Sequence, residues 1–161
     1  MKEGACQGSV GAKGMITVIY LDRHEVRLGA STAIYIGFHG DVEPEAASEI
    51  THLICEHLRG RSGHVLVDVT DLARVPPPSQ REFCKVRPWP GRREPQILDI
   101  VFIGARLMQK VLMSQIVSMA GSNPGTQLEV HFFEVREDAL AWSGIAESAL
   151  FATEGLIYLT R

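Results

Sequence analysis

Long apolar runs, paired cysteines and glycine-rich phosphate loops are all missing from this chain. No segment approaches the roughly 18 consecutive apolar residues of a membrane helix, so a membrane-spanning protein is not expected. Cysteine is scarce. Cys6, Cys55 and Cys84 are odd in number and none stands in a C-x-x-C pair, which argues against a disulfide framework or a thiolate zinc site and fits a reducing cytoplasm. Neither sign of charge dominates: 16 Lys and Arg stand against 19 Asp and Glu, for a formal net charge of −3. That balance leaves no general field to hold a polyanion, and nucleic acid is not an expected partner.

Signatures of catalysis are absent too. G-x-S-x-G does not occur, and no serine or cysteine stands in a recognisable nucleophile setting. GSVGAKG near the N-terminus is not the Walker pattern, and no strand precedes it. No catalytic residue and no cofactor is therefore expected. Residues 1–14, MKEGACQGSVGAKG, carry glycines where a signal peptide would need an apolar stretch. They are expected to form a flexible tail, with residues 15–161 as a single domain.

What is present is a well-patterned chain of 161 residues, 45% of them hydrophobic, enough to bury a core without staples. MITVIY from Met15 to Tyr20 and TAIYIGF from Thr32 to Phe38 are rich in β-branched and aromatic residues and read as two strands joined in a hairpin. HGDVEPEA then offers Asp41 as a helix cap, with acidic residues in the first turn where the helix dipole favours them. A helix is expected from about Pro44 to Leu58, stopped by RGRSG.

HVLVDV, beginning at His64, is apolar except for Asp68 and reads as an interior strand covered on both faces. The connection from Thr70 to Gln96 holds six of the eight prolines, and SQREFCKVR within it suits a short helix. ILDIVFIG is a further buried strand, and Ala105 to Ala120 a strongly apolar helix. LEVHFF, VREDALAW and GLIYL read in turn as strand, helix and a last strand. Strands alternating with helices at this spacing predict an α/β sandwich built on a mixed sheet.

THLICEH is the natural place to look for metal ligands, but helical geometry separates its histidines. At about 100° per residue, His52 and His57 point roughly 140° apart and cannot close on one ion. The stretch matches neither H-E-x-x-H nor H-x-x-E-H. An ordinary amphipathic helix, with Ile50, Leu53, Ile54 and His57 on its apolar side, accounts for it, and no metal ligand is expected.

Two stretches hint at binding. Between Arg74 and Arg93, basic residues including Arg81 and Arg92 are interleaved with Phe83 and Trp89, a mixture suited to an acidic partner or a headgroup beside an aromatic anchor. In ARLMQKVLMSQIVSMA, Met108, Leu112, Ile116 and Met119 form one apolar face. Met113 and Val117 widen it beyond a minimal stripe, leaving Lys110, Ser114, Gln115 and Ser118 as a thin polar edge. Deep burial, a dimer interface or a pocket for an apolar ligand would each explain that width.

In its order of elements, and in HVLVDVTDL, ILDIVFIGA and HFFEVREDALAW, the chain resembles the STAS superfamily, most closely its SpoIIAA-like branch. The resemblance covers about Met15 to Trp142. It implies a central mixed sheet of about five strands with about four helices. STAS domains that antagonise anti-sigma factors carry Asp-Ser-Ser-Gly after the central strand, where a partner kinase phosphorylates a serine. Laid without gaps from Asp68, that pattern puts Pro76, Pro77 and Pro78 on Asp-Ser-Ser and Ser79 on the glycine. A one-residue slip would make Ser79 the phosphoacceptor, at a helix N-cap. The branch has also been compared with the lipid-binding CRAL-TRIO fold.

The resulting expectation is a cytoplasmic, non-enzymatic regulatory domain that acts by binding and self-associates as a homodimer, without the usual phosphoserine switch. Its partner would be a protein, or alternatively a lipid or other apolar small molecule. Arg81, Phe83, Trp89, Arg92, Met108 and Met113 are the candidate contacts, and Ser79 the candidate modification site.

Overall fold

The structure, a computed structural model, describes residues 15–86, 89–91, 93–122 and 125–161. The expected tail over residues 1–14 lies outside them, as does Arg92. The chain starts as a three-stranded meander: β1 (Ile16–Leu21), β2 (His24–Leu28) and β3 (Ala33–Gly40). The expected hairpin therefore has an additional strand in its middle. HEVRL alternates as a strand should, with His24 and Val26 buried, but the charged pair Glu25 and Arg27 on its other side disguises the pattern.

From β3 onward the chain follows a strand, helix, strand rhythm. α1 (Pro44–Leu58) leads to β4 (Gly63–Leu72), and α2 (Pro77–Phe83) precedes β5 (Gln96–Ile103). α3 (Leu107–Ala120) leads to β6 (Thr126–Phe133), and α4 (Arg136–Ser143) and α5 (Ser148–Phe151) precede β7 (Leu156–Thr160). Sequence and structure agree closely on α1, where Arg59 in the left-handed region ends the helix within RGRSG. Its N-cap is Glu43 rather than Asp41, because the Asp41 carboxylate is engaged by Arg74 at 2.6 Å.

The strands form one sheet in the order β6-β5-β4-β3-β2-β1-β7. β2 alone is antiparallel to its neighbours, so the sheet is mixed. The described residues thus contain seven strands and five helices rather than about five and four. β2, α5 and the final strand β7 make the difference from the count the resemblance implies; β7 matches the last strand read from GLIYL, whereas β2 and α5 are short enough to carry little periodicity.

Alternation along the central strands divides the core in two. Val65, Val67 and Val69 of β4 point to one side with Ile34, Ile36 and Phe38, where α1, α2 and α3 cover them. Leu66 points to the other, with Tyr35, Val101 and Ile103, under α4 and α5. Gly104 ends β5 at φ 73°, and a Cβ there would stand 2.2 Å from Thr70 Oγ1. Only glycine fits both the conformation and the space, and the turn it makes launches α3.

Candidate functional site

The three prolines after Val75 start α2. Pro76 is its N-cap and Pro77 and Pro78 fill the first two helical positions, where a missing N–H removes no helical hydrogen bond and the fixed φ already suits the helix. Ser79 is consequently the third helical residue and not the expected cap. It is fully buried, and its hydroxyl donates to the Val42 carbonyl at 2.6 Å. A kinase would have to pull α2 away from the β3–α1 connection to reach it.

The remaining predicted contacts do not form one surface. Arg81 is exposed on α2. Phe83 turns inward, packing edge-on to Phe38 with ring centroids 5.9 Å apart. Trp89 is half-buried at the border of two depressions, one shared with Gly60 and Glu94 and the other with His52 and Glu82. Met113 is buried while Met108 is 77% exposed. Of the described candidates, Arg81 and Met108 are exposed.

The apolar face of α3 is rotated from the expected one. Met113, Ile116, Val117 and Ala120 face the core. Leu107, Met108, Val111 and Met119 lie outward, at 76%, 77%, 48% and 51% exposure. The helix is apolar on two sides, which is why its width could not reveal its orientation. Val111 and Met119 also border a shallow groove that runs from α3 to Gln80 of α2, with Lys110, Ser114, Gln115 and Ser118 along it. The supposed polar edge is the floor of this groove.

Behind the inner face of α3 lies an apolar cavity of about 90 Å³, bounded by Phe38, Ile54, Phe83, Phe102, Met113 and Val117 among others. Among the described residues Thr51 is the single polar side chain on its wall, and its hydroxyl is already committed to the Ala47 carbonyl at 2.8 Å. Nothing in that wall could bind or orient a polar group. It is a place for an apolar ligand or for none.

The histidines of THLICEH behave as the helix reading requires. His52 is exposed, whereas half-buried His57 donates from Nε2 to the Ser31 carbonyl at 3.1 Å. Burial lowers the His57 pKa from its ordinary value, against the opposing effect of that hydrogen bond.

A different polar cluster went unnoticed in the sequence. His64 of β4, Asp99 of β5 and Glu129 of β6 occupy matching positions across three neighbouring strands, and His131 lies one pleat further on. All four are on the α4 side of the sheet, His64 near the start of β4 and the other three within β5 and β6. His64 Nε2 is 3.2 Å from Asp99 Oδ2, and His131 Nε2 is 3.4 Å from Asp99 Oδ1. Trp142 of α4 lies against both imidazoles, with centroids 4.0 Å away for His131 and 6.2 Å for His64. The signal was available as a histidine or acid at alternate positions in HVLVDV, ILDIVF and LEVHFF, but only the sheet register brings them together.

At the opposite edge, β7 exposes Ile157, Tyr158 and Leu159, and Tyr158 stacks on Tyr20 at 6.5 Å. Among the described residues, no helix is long and apolar enough to cross a membrane. No protein-family model matches this chain, and no curated protein does so either.

Proposed function

We propose that this chain is a non-enzymatic regulatory interaction domain of STAS/SpoIIAA-like type, and that it docks a protein partner on the α2–α3 face. The observation that carries the reading is the outward stripe of Leu107, Met108, Val111 and Met119 on a helix whose other side is already buried. Apolar side chains of this size, grouped beside a groove with a polar rim, suit a helix-in-groove or similar contact. Methionines adapt their shape to what they meet. Lys110 borders the same region and would favour an acidic flank on the partner.

The test is affinity capture followed by binding measurements with the purified partner. Met108→Glu with Val111→Glu should weaken that affinity at least about thirtyfold, the effect of losing one interface hot spot of ~2 kcal/mol. Trp89→Ala should change it less than about threefold. Unchanged affinity in the double variant removes the α3 face as the docking surface.

A second reading rests on the apolar cavity: a small apolar ligand held between α3 and the sheet. At about 90 Å³ it is smaller than the ~150 Å³ cavity known to admit benzene, so an acyl chain would need α2 or α3 to move. Native mass spectrometry of freshly purified protein should then show a small bound species, lost in Ala120→Val, which fills the wall. A clean apo mass with no thermal shift across apolar probes counts against this reading.

A further inference from the structure

We infer that Asp99, Glu129 and His131 form a binding site for one divalent transition-metal ion of zinc type, with His64 as a positioning residue. Among the described residues these three alone bring a histidine and two carboxylates together, with one ligand atom from each lying within 4.8 Å of the others. Ligands about 2.1 Å from a tetrahedral ion are about 3.4 Å from one another. His131 Nε2 is 3.4 Å from Asp99 Oδ1 and 3.9 Å from Glu129 Oε2, so the histidine already stands near ligand spacing from both carboxylates.

Three further features point inward to the same place. His131 Nε2 is shielded from solvent and makes no hydrogen bond, an unsatisfied state for a buried polar atom. Each carboxylate has its other oxygen occupied from outside. His64 Nε2 stands at Asp99 Oδ2, 3.2 Å away, and Gln127 donates to Glu129 Oε1 at 3.1 Å. Such outer partners orient the ligating atom and sharpen metal affinity. The His131 side chain as a whole is 28% exposed and that of Glu129 48%, so the cluster lies near the protein surface although Nε2 itself is covered. Asp99 lies on β5 and the other two ligands on the edge strand β6, so the ion would clip that edge to the sheet.

Trp142 makes the site readable. In the full chain carrying Trp89→Phe, dialysed against a chelator, Ni²⁺ should quench the remaining tryptophan to saturation at one ion per chain, and Zn²⁺ should displace it. His131→Gln and Asp99→Asn should each weaken the apparent affinity at least tenfold, while His64→Gln should weaken it severalfold. Glu129→Gln, at a largely exposed position, gives the same readout if the other variants fold poorly, and His52→Asn should change nothing. No saturable quenching up to millimolar Ni²⁺, or quenching that survives both His131→Gln and Glu129→Gln, overturns the assignment and leaves an ion-pair cluster.

Discussion

The two faces of the sheet are built from the same strands, yet they bury different chemistry. On the α1–α2–α3 side β4 presents Val65, Val67 and Val69 to a continuous apolar core. On the α4–α5 side the same strand presents His64, Leu66 and Asp68, and the core shrinks to a small cluster. Tyr35 donates to Asp68 Oδ2 at 3.2 Å there, and Asp99 joins His64 and His131. One face contributes stability by excluding water, and the other holds polar groups in fixed mutual positions. The difference follows from side-chain alternation at a period of two, so one strand can serve both tasks.

That contrast can be broken deliberately. The largest effect is expected from Phe102→Ala, which enlarges the existing cavity on the apolar face. It should cost about 3–5 kcal/mol, read as a lowered midpoint in denaturant unfolding.

Acid should act next, through the one histidine buried on that face. His24 lies edge-on to Phe38 and accepts the His39 N–H on Nδ1 at 3.1 Å, a bond that imidazolium cannot accept. Burial depresses its pKa below the ordinary 6.5, opposed by Asp22 and a backbone hydrogen bond to Asp41, and assisted by His39 and Arg23. The unfolded chain therefore binds this proton more readily than the folded one. Stability is full above pH 6.5 and falls as the pH drops below it. His24→Asn, which keeps an acceptor without the titration, should narrow the gap between thermal midpoints at pH 7.5 and pH 5; an unchanged gap would assign the acid sensitivity elsewhere.

On the polar face Tyr35→Phe sharpens the comparison by removing a single donor. Loss of the bond to Asp68 is expected to cost about 1 kcal/mol in the same unfolding assay, well below the Phe102 truncation. The smallest effect belongs to the outer side of α3: Met108→Ser and Val111→Ser should each leave stability within about 0.5 kcal/mol. A larger loss in either would mean that this side of the helix is already covered in the isolated chain.

Much of the architecture was legible because its signals are local. Pro44 to Leu58 carries a clean helical period, and RGRSG stops it where the backbone turns left-handed. What escaped was short or two-sided. β2 hid its alternation behind Glu25 and Arg27, and α5 spans a single turn. α3 is apolar almost all round, so periodicity could not say that Met113 faces in while Met108 and Met119 face out. Ser79 was misplaced by three positions, because Pro76 is the cap and Pro77 and Pro78 belong to the helix itself.

By itself, the sequence determined where the longer strands and helices form and that the fold is mixed α/β, because propensity, period and turn chemistry act over a few residues at a time. The tertiary structure alone decided which side of α3 remains open and that Ser79 is sealed beneath Val42. It also decided that His64, Asp99, Glu129 and His131 meet. Those outcomes depend on strand register and helix rotation, which packing between distant segments sets and no local pattern encodes.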